Sequence, residues 1–397
     1  MMKKHLFSLL FCAVTSVVYA TDNYTIVISL DGCRNDYTEW YDTPFFDYVA
    51  EVGVKAGLIP SFPSKTFPNH YTLATGLYPD HHGIIANKFY DRKTGETFSL
   101  SNLEQKKNPV YYGGEPVWIT AKRQGVRSAV FYWPGSDVKI CGGYPDLYHD
   151  YDTEPRLTFE ERIEGIIAQM ALPENERPKL VMAYFEQPDY SGHSYGPQSK
   201  VTRSNVQHMD SLMLYLYFNL QKLPYADKIN IVFVADHGMA SVTPDRAISL
   251  NGVLKDEWIE KREGNIPECI YAKPQFVDSV YNAVKTLDHV KVWKPGEVPE
   301  YLHYGSNSRI GDVVVLPDLG YIVYENGEPS KGQHGFDPFF NDMHALFRAV
   351  GPDFKKGFVT ADFPNVNVYA LICKLLDITP APNDGNVEAV SHILSGN

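Results

Sequence analysis

Cysteine is scarce in this 397-residue chain, and it does not cluster. There are five. Cys12 lies in the first apolar run, and Cys33, Cys141, Cys269 and Cys373 follow with no CxxC spacing, which argues against a thiolate metal site. One or two disulfides are left open, with no pairing selected. Bases are short too: 36 Lys and Arg face 48 Asp and Glu, a net charge of −12. So acidic a surface does not hold a nucleic-acid polymer by bulk charge, and an anionic substrate needs a local grip such as metal ions. Beyond residue 20 no apolar run approaches the ~18 residues of a membrane span. Repeats and low-complexity tracts are missing. The composition, 44% hydrophobic and 21% charged, excludes collagen-like, mucin-like and disordered chains. A chain this long builds its core without disulfide staples. The oligomeric state is not encoded in any pattern.

The first twenty residues read as an export signal. Lys3 and Lys4 precede an apolar run from Leu6 to Val18, and Val18-Tyr19-Ala20 is a small-x-small cleavage site. The mature chain is expected to start near Thr21 and to work in a periplasm or outside the cell. Leu10 and Phe11 are too bulky to make Cys12 a lipid anchor. Without Lys3 and Lys4 the balance becomes 34 bases against 48 acids, about −14.

Buried strands are expected at 25–30, 128–132, 180–186 and 229–235, each a short apolar run. Three of them run into acids: Asp31, Asp189 and Asp236. Helices are expected near 112–124, 158–171, 201–222, 274–286 and 364–376; the third puts Val206, Met209, Leu212, Met213 and Leu216 on one face. This alternation means an α/β fold around a mostly parallel, doubly wound sheet, whose ligands sit at the carboxyl ends of strands. Residues 240–330 break the pattern with loops and the run 312–316, which suggests a small inserted lobe in a single domain spanning 21–397.

The strand ends carry a constellation. Asp31 stands alone, Asp189 and His193 are four apart, Asp236 and His237 are adjacent, and His334 sits in a glycine-flanked loop. Any one of these could be a turn or a packed core residue; together they make three carboxylates and three imidazoles, a donor set that suits zinc. Six ligands exceed one four-coordinate site, so two metals in one pocket are the economical reading. Such a pair can hold both the attacking and the leaving oxygens of a displacement at phosphorus. Between the first two ligand groups, residues 61–76 read as loop then helix, with Thr66 at the N-cap, Pro68 near the first turn and Gly76 ending it. The helix start favours an anion. A metal lowers the pKa of a hydroxyl it touches, so Thr66 is a candidate ligand and nucleophile. The plainer role for Thr66 is the helix cap.

The stretches SLDGCRNDY at 29–37, FPSKTFPNHYTLATGLYPDHHGIIANKFYD at 62–91, FYWPGSD at 131–137, EQPDYSGHSYGP at 186–197, VADHGM at 234–239 and QHGFDPFFNDMHALFRAVGPDF at 333–354 resemble the nucleotide pyrophosphatase/phosphodiesterases of the alkaline phosphatase superfamily. The resemblance runs from first strand to last, and PAPNDGN at 381–387 looks like the end of the family's catalytic domain, as in its compact bacterial members. It implies an alkaline-phosphatase-like α/β/α sandwich. It implies two Zn2+ per chain, one held by Asp189, His193 and His334, the other by Asp31, Thr66, Asp236 and His237. Thr66 would be the nucleophile and Asn87 the donor to a phosphate oxygen. Phe67 and Tyr151 would stack a nucleobase, with Trp133, Pro134, Asp137 and Lys106 around it. The substrate would be a small nucleotide diester or pyrophosphate, cleaved to a nucleoside 5′-monophosphate. Cys33 and Tyr190 depart from the family pattern beside metal ligands.

Rival chemistries remain. A lipid or choline phosphodiesterase shares the motifs. A phosphomonoesterase needs a third metal or an arginine for the extra phosphate oxygens, and Arg34 is the one arginine near the nucleophile. A sulfatase needs Ser/Cys-x-Pro-x-Arg, and Ser61 to Lys65 only approaches it. A binding protein that has lost catalysis is disfavoured by the intact ligand set, and zinc content would separate it from the enzymes.

Overall fold

The computed structural model describes residues 22–396, so the expected export signal lies outside the described residues. The core is a nine-stranded sheet. Its strands are β1 (Tyr24–Leu30), β2 (Val54–Ile59), β3 (Ser128–Phe131), β4 (Leu147–His149), β5 (Leu180–Phe185), β6 (Ile229–Val234) and, later in the chain, Ala345–Val350, Phe358–Val359 and Phe363–Pro364. Across the sheet the order runs Phe358–Val359, β2, Ala345–Val350, β6, β1, β5, β3, β4, and Phe363–Pro364 also pairs with β2. Only Ala345–Val350 runs antiparallel to its neighbours; β6, β1, β5 and β3 are mutually parallel. Every residue of β1, β3, β5 and β6 is buried, which is why they read as unbroken apolar runs and not as alternating ones.

Helices cover both faces. α1 (Pro44–Val52), α4 (Phe159–Met170) and α6 (Lys200–Leu220) pack together, and α2 (Thr66–Thr75), α3 (Val117–Arg123) and α8 (Asn367–Leu375) form a second group; α5 (Asp189–Tyr195) and α7 (Val277–Val284) are the other helices longer than a single turn. α4 starts at a capping box: Thr158 accepts the Glu161 N–H at 3.2 Å, and Glu161 accepts the Thr158 N–H at 2.8 Å. α6 buries Val206, Met209, Leu212, Met213 and Leu216 as its periodicity predicts. Asp210 on the same helix accepts the Phe45 and Phe46 N–H groups at 3.1 and 2.9 Å, capping α1 from outside. α3 is shorter than expected because Pro116 delays its start, and α7 because residues 274–276 form a 3-10 turn ahead of it.

Between β6 and Ala345–Val350 lies a second, four-stranded antiparallel sheet: β7 (Ile259–Gly264), β8 (Glu268–Ala272), β9 (Val290–Trp293) and β10 (Val313–Pro317), in the order β7-β8-β10-β9. It has a small core of its own around Ile270, Val280, Val284, Val313 and Val315. Cys33, Cys141, Cys269 and Cys373 are all unpaired, so of the disulfides that the sequence left open none forms among the described residues. No helix among the described residues is long and apolar enough to cross a membrane.

Candidate active site

Adjacent parallel strands bring the acids together. β6, β1 and β5 are neighbours in register, with Leu30 opposite Phe185 and Ser29 opposite Val234. Asp31 therefore leaves the sheet beside Asp236 and beside the loop that starts α5 at Asp189. The Asp189 N–H donates to the Asp31 carbonyl at 2.9 Å. Gly32 lies between them at φ +64°, and a Cβ there would come 2.9 Å from Asp189, so only glycine allows this approach.

Two groups of ligand atoms result. In each, the donor atoms lie within 4.8 Å of one another: Asp189, His193 and His334 in one, Asp31, Asp236 and His237 in the other. In the first, His193 Nε2 is 3.5 Å from Asp189 Oδ1 and 3.1 Å from His334 Nε2, and His334 Nε2 is 3.8 Å from Asp189 Oδ1. In the second, His237 Nε2 is 3.1 Å from Asp236 Oδ2 and 3.5 Å from Asp31 Oδ1. A tetrahedral zinc ion with bonds of about 2.1 Å spaces its ligands about 3.4 Å apart. The groups meet where the His237 and His334 rings stack, centroids 3.6 Å apart.

Hydrogen bonds fix which imidazole nitrogen points inward. His193 Nδ1 donates to the Gly332 carbonyl at 2.7 Å, His334 Nδ1 to Ser64 O at 2.8 Å and His237 Nδ1 to Gly238 O at 2.8 Å. All three Nε2 lone pairs are thereby aimed at the carboxylates. Asp31 Oδ1, Asp189 Oδ1 and Asp236 Oδ2 are buried without a hydrogen-bond partner, a costly state for carboxylate oxygens unless a cation completes it. Three carboxylates and three imidazoles with no thiolate fit a borderline divalent cation.

The electrostatics are those of crowded acids: burial lowers the His237 imidazole, but the Asp236 carboxylate outweighs it and holds it above its ordinary range. Burial, then the Asp236 and Asp189 carboxylates, hold the Asp31 carboxyl well above its usual range. Burial acts the same way on Asp236, but His237 and His70 outweigh it and hold that carboxyl low. Burial, then His237, Lys65 and His193, depress His334 far below an ordinary imidazole, leaving it neutral and able to ligate.

Thr66 is not the helix cap. Lys65 is the extended N-cap residue, with no side-chain cap bond, and Thr66 is the first helical residue. Its Oγ1 turns instead toward His237 Nε2, 3.2 Å away. The missing cap comes from Asn87, whose Oδ1 accepts the Phe67 N–H at 2.9 Å. That bond orients the amide and leaves its NH2 group to donate. Pro68 has no N–H, so the helix start offers chiefly the Thr66 N–H to an anion. Gly76 ends α2 in the left-handed region at φ +68°.

Thr66 and Phe67 share an apolar cavity of about 160 Å3 with Lys106, Pro134, Asp137 and Tyr151. Trp133, expected beside them, does not line it. It is buried behind the wall, where its Nε1–H donates to the His70 carbonyl at 3.0 Å and its ring meets the His70 ring edge-on at 5.3 Å. Four further residues line it: Tyr132 of the stretch FYWPGSD, and Leu100, Asp152 and Tyr184, which no motif in the sequence marks. Lys106 is tied to Asp152 at 2.7 Å. On the Lys65 flank of Thr66, a polar cavity of about 380 Å3 is lined by Lys65, Asn87, Lys88, Arg262 and residues 263–267. Lys88 there pairs with Glu263 at 2.7 Å, whereas Lys65 Nζ reaches only Asn265 Oδ1 at 3.5 Å, and burial pulls its pKa down to about 8.

Arg34 is occupied elsewhere: it bonds Asp36 at 2.7 Å, Asp342 at 3.1 Å and the Met239 carbonyl. Ser61 Oγ donates to Asn365 Oδ1 at 2.9 Å and is buried.

Residues 25–337 match the family model of type I phosphodiesterases/nucleotide pyrophosphatases. The chain is 37% identical over 387 residues to human ectonucleotide pyrophosphatase/phosphodiesterase family member 1, covering 93% of this chain and 42% of that protein. It is 34% identical over 384 residues to a venom phosphodiesterase of Crotalus durissus collilineatus, covering 93% and 46%. It thus spans under half the length of these curated relatives. Among solved structures, human ectonucleotide pyrophosphatase/phosphodiesterase 5 superposes with a TM-score of 0.88 at 33% identity, over 94% of this chain and all of that one. An inactive murine form of the same protein, in complex with AMP, superposes equally well at 32% identity.

Proposed function

Because this chain belongs to the type I phosphodiesterase/nucleotide pyrophosphatase family, we propose that it is an exported, zinc-dependent hydrolase of nucleotide phosphodiesters and pyrophosphates that releases nucleoside 5′-monophosphates. The observation that carries the reading is the position of Thr66. Its hydroxyl stands at the first residue of α2, 3.2 Å from a ligand imidazole, with an apolar cavity on one flank and a polar one beside Lys65 on the other.

Asp189, His193 and His334 would hold one zinc ion, and Asp31, Asp236, His237 and Thr66 the other. When bound, the ions lower the pKa of the Thr66 hydroxyl, whose proton leaves to solvent, and offset negative charge at phosphorus. The chain does the rest. Phe67 and Tyr151 bind the base in the apolar cavity, Lys106 and Asp137 lie at its polar edge, and Pro134 shapes its wall. That contact directs the phosphate to the start of α2. Asn87 donates from its NH2 group to a non-bridging oxygen, and its fixed orientation means little reorganisation as charge develops there. Thr66 Oγ1 forms a bond to phosphorus as the bond to the leaving oxygen breaks. Lys65 sits where the leaving fragment departs and offers it a positive charge. Water then displaces Thr66 from phosphorus, and the threonine regains its proton. The names of the relatives, ectoenzymes and a venom protein, support work outside the cytoplasm.

The occupied state of Arg34 disfavours a monoesterase, which needs a free cation for the extra phosphate charge. The committed hydroxyl of Ser61 likewise disfavours a sulfatase. The test is hydrolysis of a nitrophenyl nucleotide ester. The wild-type protein is expected to turn it over, with Thr66→Ala retaining zinc but losing activity by several orders of magnitude. Unchanged turnover in that variant removes the covalent step.

A further inference from the structure

Tyr184 carries a role that no family motif in the sequence announces. We propose that it is a positioning residue for the cation pair: its hydroxyl fixes Asp31 so that only Oδ1 faces the cation, while its ring walls the apolar cavity. The proposal rests on the two-cation reading above.

Tyr184 sits in β5 opposite Ser29 of β1, two residues before Asp31, and its phenol spans that gap. The O–H donates to Asp31 Oδ2 at 2.6 Å, the length of a hydrogen bond to a charged oxygen. Asp31 Oδ1 is left buried with no hydrogen-bond partner, 3.5 Å from His237 Nε2. Asp236 is divided in the same way: its Oδ1 accepts the Gly32 N–H at 3.1 Å, and its Oδ2 has no hydrogen-bond partner. Each acid thus has one oxygen held by the protein and one turned inward. The Tyr184 ring meets the edge of His70 at 4.9 Å and lies 6.1 Å from Tyr151, and it lines the cavity with Phe67 and Tyr151. His70 in turn bonds the Thr66 carbonyl at 2.9 Å. One side chain therefore touches the base cavity, a ligand carboxylate and the residue that braces Thr66. A tyrosine that merely filled the core would satisfy its hydroxyl with any nearby acceptor, and its loss would leave metal affinity alone.

Tyr184→Phe separates the two cases, because it deletes the hydroxyl and keeps the ring. Zinc affinity is read by competition with a chromophoric chelator, and steady-state kinetics use a nitrophenyl nucleotide ester. The wild-type protein is expected to hold two zinc ions. The phenylalanine variant is expected to hold one of them 10–100-fold more weakly, with unchanged KM and a kcat that falls at limiting zinc and recovers in excess. Tyr184→Leu is expected to show the same weakened ion and a raised KM, because the ring is lost as well. Equal affinity for both ions in wild type and Tyr184→Phe overturns the role of Tyr184 and leaves the two-cation site standing. A wild-type protein that holds no zinc overturns the site itself.

Discussion

Replacing Asp31 by asparagine is expected to change the protein's stability in opposite directions with and without zinc. Asp31 and Asp236 place their ligand oxygens within 4.8 Å of each other in buried surroundings. Two unit charges at that distance repel by about 3.5 kcal/mol at an effective dielectric of ~20. Asp31 is the carboxyl that burial and its neighbours push upward, so its charge is the one to remove. Asparagine keeps an oxygen for Tyr184, and the weaker bond gives back about 1 kcal/mol. In chelator the variant should therefore gain about 2 kcal/mol. With zinc at ~1,000 times its dissociation constant, each ion stabilises the wild type by about 4 kcal/mol, and the variant forfeits one such contribution for a net loss of about 2 kcal/mol. The 375 described residues, at ~2.1 cal/mol/K each, make 1 kcal/mol worth about 1.3 °C. Calorimetry at pH 8 should show Asp31→Asn melting about 3 °C above wild type in chelator and about 3 °C below it in zinc. A shift of the same sign in both conditions would refute a cation site at these carboxylates.

Other outcomes follow from the same geometry. Lys65→Ala should cut turnover of ATP more than that of a nitrophenyl ester, because pyrophosphate brings several localised negative charges into the Lys65 cavity and nitrophenolate only one, spread over its ring; equal losses would return Lys65 to the scaffold. Tyr151→Ala should raise KM for nucleotide esters and leave that for a nitrophenyl phenylphosphonate unchanged. Trp133→Phe should lower the melting temperature through its lost bond to His70 and a partly filled space, about 1–3 kcal/mol, with little change in KM. Burial, opposed by its bonds to the Phe46 and Phe45 N–H groups, raises the Asp210 carboxyl to about 6. The folded state then holds this proton more tightly than the unfolded chain. The associated stability is present below about pH 4 and lost as pH rises through about 6, and an NMR titration of Asp210 should show a midpoint near 6.

The two candidate ligand groups were legible because three apolar runs each end near an acid, and parallel neighbours force those ends together. No distance had to be known for Asp31, Asp189 and Asp236 to converge. What aims the ligands was not legible. The carbonyls of Ser64, Gly238 and Gly332 orient the three imidazoles, and a carbonyl is common to every residue. Tyr184 lay hidden in the buried run LVMAYF, where no period marks one side chain as functional. Thr66 misled for a physical reason: threonine before a helix is a good cap, but here Asn87, twenty-one residues later, does the capping and frees the hydroxyl. Trp133 misled because a motif position gives proximity to a pocket and not the face that a side chain turns to it.

A choline ester is the rival that the cavity must answer, since aromatic walls and acids also suit a quaternary ammonium. The rings of Phe67, Tyr132, Tyr151 and Tyr184 and the carboxylates of Asp137 and Asp152 are all present. Those carboxylates are already matched. Lys106 lies 2.7 Å from Asp152, Lys107 lies 3.6 Å from Asp137 and 2.6 Å from Asp150, and the Arg156 guanidinium sits 4.7 Å over the Tyr151 ring. An incoming cation would meet charges of its own sign at each acid and at one aromatic face. A planar neutral base meets a donor and an acceptor side by side. Lys106→Met removes the nearer of the two cations at Asp152, leaving Lys107 at 3.4 Å, while keeping the length of the stem. The ratio of glycerophosphocholine to nucleotide-ester hydrolysis should therefore rise in this variant from a low wild-type value. A wild-type ratio that already favours the choline ester, and does not move in Lys106→Met, would mean that the cavity is built for a headgroup and not for a base.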